Sequence, residues 1–137
     1  MPIDIPVKEA PIAPHGSEIA RKAIHAALRH LMGNWDLGDT AVAEVLHLHP
    51  NTIKKWLADK SVPMGKPPFS PHYEALLHLL AIHRSLSAMF SKPENQRSWL
   101  SSKHTDFGVA PLNKMRESTE GLILIRQYLD YVRGRGA

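Results

Sequence analysis

The sequence predicts an all-α protein, an N-terminal helical bundle packed with a C-terminal helical domain. Three observations carry this expectation. Apolar residues recur at three- and four-residue spacing, as at Leu122, Ile125, Leu129 and Val132. Residues that open helices precede such stretches: Ser17, Ser70 followed by Pro71, and Ser118. No segment sustains the apolar–polar alternation of a strand, and no internal repeat is present.

Residues 1–16 hold Pro2, Pro6, Pro11 and Pro14 with no helical or strand period, which predicts a disordered or extended arm. Ser17 is placed as an N-cap, with Glu18 favourable to the helix dipole. Ala20, Ile24, Ala27, Leu28 and Leu31 then share one helical face, and Gly33 and Asn34 are expected to end the helix. Gly38 or Asp39 starts a short second helix with Ala43 and Leu46, and His49-Pro50 opens a third. Residues 62–71, with four prolines and Gly65, read as a linker. The helix from Pro71 to about Phe90 is apolar round more than half its circumference, so it should be central and contacted from several sides, with a homodimer through this region as the simplest burial of its surface. Ser91 and Glu94 have capping-box spacing for the next helix, which contains Trp99 and Leu100. Phe107-Gly108 marks a turn, and Pro111 opens a short helix. Ser118 caps the last helix, where Gly121 costs about 1 kcal/mol relative to Ala unless another helix approaches closely. Gly134 and Gly136 are expected to dissolve it.

Composition bounds the function classes. The 137 residues suit one domain or two packed subdomains, and 43% hydrophobic residues suffice for a core. Seventeen Lys and Arg against thirteen Asp and Glu give a net charge of +4, a mild bias toward a polyanionic partner. With no cysteine, disulfides and thiolate metal sites are excluded. No apolar run approaches the ~18 residues of a membrane span, and no signal-peptide order opens the chain. No membrane partner and a cytoplasmic location are therefore expected.

Residues 37–56 have the layout of a helix-turn-helix. Ala43 is small where two helices must cross tightly, and Leu48, Ile53 and Trp56 can form the shared core. The third helix then offers Asn51, Thr52, Lys54 and Lys55 to operator DNA, since Asn pairs with an adenine edge and Lys reaches phosphate or guanine. His47 stands where such a turn usually has Gly, at roughly 1 kcal/mol if left-handed. The competing reading is a helical hairpin with a solvated Lys-Lys face.

Further along stand Leu80-Ala-Ile-His-Arg-Ser-Leu86, Ser98-Trp-Leu100, Phe107-Gly-Val-Ala-Pro-Leu112 and Gly121-Leu-Ile-Leu-Ile-Arg-Gln-Tyr-Leu129, before a glycine-ended tail. In order and spacing these resemble the toxin-binding domain of the Xre/MbcA/ParS antitoxin family. With the 37–56 segment, the resemblance covers about three quarters of the chain. It implies an antitoxin with a DNA-binding region at 17–61, a linker at 62–71 and a toxin-binding domain at 72–137. It also implies a RES-domain toxin acting on NAD as partner, a homodimer, and repression of its own operon. The chain departs from the family pattern at His47 and at Ala110, where Ser or Thr often precedes the Pro. Toxin-contact candidates are Trp99, Phe107, Leu112, Arg126, Arg133 and Arg135. Each of the aromatics is alternatively core. The two terminal Arg, on glycine hinges, are suited to an anionic or phosphate-binding pocket or are a frayed end.

Nine His invite a metal or hydrolytic reading. His47 and His49 lack a third ligand at fixed spacing, and His25/His30 and His78/His83 are five apart, off one helical face. No His-Glu-x-x-His or phosphate loop occurs, and no nucleophile–base pair can be assembled. No catalytic residue, metal or cofactor is expected. The alternative function is a stand-alone helix-turn-helix regulator without a toxin.

Overall fold

In the computed structural model, which describes residues 17–64 and 66–136, seven helices follow one another with no strand among those residues. They are α1 (Glu18–Trp35), α2 (Asp39–Leu46), α3 (Pro50–Asp59), α4 (Pro71–Met89), α5 (Pro93–Ser101), α6 (Pro111–Glu117) and α7 (Thr119–Gly136). The arm at 1–16 lies outside the described residues.

The serine caps form as expected. Ser17, Ser70 and Ser118 accept from the backbone N–H of Ala20, Tyr73 and Gly121 at 3.1, 3.2 and 3.0 Å. Three boundaries differ from expectation. α1 runs through Gly33 to Trp35, and Asp36 takes the left-handed C-cap at φ 55°. Trp35 carries it there: its ring is buried and its Nε1 donates to Gln96 Oε1 at 3.1 Å. Lys92, not Ser91, is the N-cap of α5, with Pro93 at the first position and no side-chain cap. α7 stays helical through Gly134 to Gly136. Packing against α4 outweighs the glycine penalty there, because Arg133 Nη1 donates to the buried Ser85 hydroxyl at 3.1 Å.

One apolar core spans both halves of the chain. Leu28, Leu31 and Trp35 meet Val42, Ala43 and Leu46, then Leu76, Leu79, Ile82 and Leu86 of α4, and Leu122, Ile125 and Leu129 of α7. α4 is indeed central, packed by α7, α1, α2 and α5. Tyr73, Leu76, Leu79, Ile82 and Leu86 are buried within the single chain. Much of the apolar α4 surface from which a homodimer was expected is therefore covered within the chain, and Met89 at its end stays 37% exposed. The 62–71 segment is also fastened: Val62 and Met64 are buried, and Val62 N–H donates to Arg21 O at 3.3 Å.

His47 ends α2 at φ 59° and ψ 43°, and its N–H closes the helix on Ala43 O and Glu44 O. The strained position expected of the turn is real. A β-branched residue tolerates it least. His47→Val is expected to lower unfolding stability by about 1–2 kcal/mol in urea titration, and His47→Gly to leave it equal or higher. Equal loss in both variants would contradict the strain.

A polar network bridges α1, α4 and α5. Asn34 Nδ2 donates to His83 Nε2 at 2.8 Å, and Arg97 Nη1 donates to Asn34 O at 2.8 Å. Gln96 Nε2 donates to Phe90 O at 3.0 Å, which leaves its oxygen for Trp35. Burial, with the neighbouring His30, pushes the His83 imidazole down to about 4. The sign follows. A neutral His83 folded and an ordinary histidine unfolded, near 6.5, mean that the unfolded chain binds the extra proton. Stability is then full above pH 6.5 and falls as pH drops toward 4, by up to roughly 3 kcal/mol. Thermal melts at pH 7 and pH 4.5 should show a drop that His83→Gln abolishes. An equal drop in the variant would remove His83 as its source.

Candidate functional site

Two surfaces are built on this core. The first is the exposed side of α3. Ala43, Ile53 and Trp56 are buried where α2 and α3 pack together, and the remaining side of α3 faces outward. Asn51, Lys54 and Lys55 are exposed there together. Lys55 Nζ pairs with Asp59 at 3.0 Å, one turn on, with both side chains largely solvated. Such an exposed pair is weak and exchanges readily for another anion. Thr52 is half-buried at the edge of this face, turned toward the 63–72 segment. His49 Nδ1 accepts from Asn51 N–H at 3.1 Å, so the N-cap histidine secures the first turn of α3.

The second surface lies on α5, α7 and the loop before α6. Gly108 adopts φ 74°, and its N–H closes the turn on His104 O at 2.9 Å. That turn gathers four aromatic rings. His104 sits 5.9 Å from Trp99, 4.7 Å from Phe107 and 5.2 Å from Tyr128, and Phe107 meets Tyr128 at 4.9 Å. His104 Nδ1 accepts from Asp106 N–H at 3.1 Å, which leaves Nε2 to donate to the Tyr128 hydroxyl at 3.3 Å. Burial, and then Asp106, raise the Tyr128 phenol above its ordinary value. Beside Trp99 opens a groove of about 350 Å³, lined also by Phe90, Ser98 and Lys103.

Of the expected contact residues, Trp99 and Phe107 thus share one cluster. Leu112, on α6, is half-buried against the core. Arg126 and Arg133 face α4 instead. Arg126 Nη1 donates to His78 Nδ1 at 3.0 Å and its Nε pairs with Asp130 at 3.5 Å. Burial, and then the Arg126 cation, lower the His78 imidazole. Arg133 is held by Ser85 as described, so it projects from a helix and not from a glycine hinge. The side chain of Arg135 lies outside the described residues.

Sequence reasoning did not select His104 or the outer side of α7. There Leu124 and Tyr131, seven residues apart, are 42% and 60% exposed. They lie opposite the buried Leu122, Ile125 and Leu129. The i, i+7 spacing was the available signal. His104 had none, because its role depends on a loop. Among the described residues no three His, Asp or Glu side chains converge on a point, and no helix is long and apolar enough to cross a membrane.

Comparison with known proteins agrees with this architecture. The fold is similar to that of a chain in the crystal structure of the M. tuberculosis MbcT-MbcA toxin–antitoxin complex. The TM-score is 0.54 at 16% identity, covering 80% of this chain and 96% of that one. No curated protein matches the sequence. The profile of the antitoxin Xre/MbcA/ParS C-terminal toxin-binding domain matches residues 85–135, which contain the whole second surface except His78, the α4 partner of Arg126. Residues 85–135 thus carry the antitoxin Xre/MbcA/ParS C-terminal toxin-binding domain.

Proposed function

We propose that the chain binds and neutralises a RES-domain, NAD-consuming toxin through its C-terminal surface and represses its own operon through α3. One observation carries the toxin-binding part. Four large apolar side chains are exposed among the described residues, Ile19, Met89, Leu124 and Tyr131, and three of them fall within residues 85–135. Two of them, Leu124 and Tyr131, share the outer side of α7, and exposed apolar groups on one face mark a protein contact. The outer side of α7 continues into Tyr128 and the His104–Phe107 cluster, which supplies aromatic anchors of the kind that dominate interfaces. Docking of that side would carry the end of α7, with Arg133 and Arg135, toward the toxin's NAD cleft. A planar guanidinium there binds phosphate-site anions or a carboxylate bidentately. Occlusion needs no catalytic group on this chain.

Operator binding rests on the joint exposure of Asn51, Lys54 and Lys55. Binding as a homodimer to a palindrome follows the family resemblance, and light scattering at micromolar concentration tests it: the mass of two chains is expected, and one chain contradicts it. Lys54→Ala with Lys55→Ala should weaken promoter binding at least tenfold and flatten its salt dependence, as lost phosphate contacts require. Unchanged affinity and salt slope would favour the solvated hairpin.

Co-expression with the product of the adjacent gene tests the whole. Rescue of growth and co-purification are expected. No captured partner, with promoter binding intact, would instead identify a stand-alone regulator.

A further inference from the structure

A groove of about 510 Å³ separates α3 from the segment that leads into α4. Thr52 and Trp56 form one wall, Met64 and Lys66 come from the connecting segment, and His72 and Tyr73 come from the first turn of α4. We propose that this groove is a second DNA-contact site, holding a sugar–phosphate unit of the strand that flanks the bases read by α3. It rests on the DNA-binding reading above.

Three features place a phosphate there. The groove is continuous with the exposed side of α3, because Thr52 lines it and directly follows Asn51. Its charge is one-sided: Lys66 and His72 are exposed at its margin, and none of the side chains lining it is acidic. The N-terminus of the 19-residue α4 adds the positive end of its dipole, since Ser70, His72 and Tyr73 all border the groove. A further feature singles out one atom. Tyr73 is 3% exposed, and its hydroxyl has no hydrogen-bond partner. A buried hydroxyl left unpaired is destabilising, and such an orphan in a native fold calls for an explanation. A phosphate oxygen seated in the groove is the acceptor it lacks. Trp56, Met64 and the prolines of the connecting segment supply the apolar floor on which a deoxyribose rests.

The test uses the full chain and a duplex from its own promoter, titrated at several salt concentrations. Lys66→Ala with His72→Ala should reduce the slope of log affinity against log salt by about 1 and leave the ranking of base-substituted duplexes unchanged. Tyr73→Phe should weaken binding by several-fold while raising the melting temperature of the free protein, because it deletes the orphaned hydroxyl. A merely structural Tyr73 would not move the two in opposite directions. If both variants bind as wild type while Lys54→Ala with Lys55→Ala loses affinity, α3 contacts DNA and the groove does not. If the wild-type chain binds no duplex, the DNA-binding reading and the groove fall together.

Discussion

Gly121→Ala is expected to destabilise the protein by about 2–4 kcal/mol, against the helix-propensity gain of nearly 1 kcal/mol that the same change brings in an open helix. A Cβ at residue 121 would fall directly on the carbonyl oxygen of Lys114, at the crossing of α6 and α7. That oxygen belongs to helical backbone and cannot swing aside as a long side chain does. The only escape is to separate α7 from α6. α7 also supplies Leu122, Ile125 and Leu129 to the core, so the separation would loosen all three. Gly134 is the control, because nothing lies within 4 Å of a Cβ built there. Gly134→Ala should be neutral or stabilising by up to ~1 kcal/mol. Urea unfolding of the two variants beside wild type decides the matter. Equal stabilities for both would contradict a tight α6–α7 crossing.

Much of this arrangement was legible in the sequence because it rests on local chemistry. Ser17, Ser70 and Ser118 cap helices in proportion to their own geometry, and Pro50, Pro71 and Pro111 open them for the same reason. The need for a close helix approach at Gly121 could be stated from propensity alone. What escaped depends on contacts far apart in sequence. The end of α1 follows from the hydrogen bond between Trp35 and Gln96, 61 residues away. The end of α7 follows from Arg133 reaching Ser85, 48 residues back. That α4 is central could be read from its own composition, but not which helices cover it, since that depends on what α7, α1, α2 and α5 bring to it. The aromatic cluster shows the same division. Trp99 and Phe107 announced themselves by residue type, whereas His104 acquires its place only when Gly108 turns the loop back.

Leu124→Asp with Tyr131→Asp should weaken toxin binding by roughly 100-fold or more and abolish growth rescue, while leaving the fold and promoter binding intact. Leu124 is 42% and Tyr131 60% exposed, so the free protein loses far less by the change than the complex does. In the complex, each introduced carboxylate would be buried against an apolar surface without a partner, which is the more severe penalty. Deleting residues 133–137 separates the docking surface from the tail. The truncated chain keeps the Leu124–Tyr131 face but loses the Arg133–Ser85 bond and the terminal guanidinium groups. It should still bind the toxin, and should inhibit it less. If the truncated chain inhibits as well as the full one, the tail is not the inhibitory element. If the double aspartate variant binds as tightly as wild type, the interface lies elsewhere in residues 85–135.

The most direct measurement follows NAD consumption by the purified product of the adjacent gene as this chain is added. Consumption should fall linearly with added protein and stop at a fixed stoichiometric ratio, and the Leu124→Asp, Tyr131→Asp variant should leave it running. NAD consumption that continues unchanged in the presence of excess wild-type chain would contradict the proposed neutralisation.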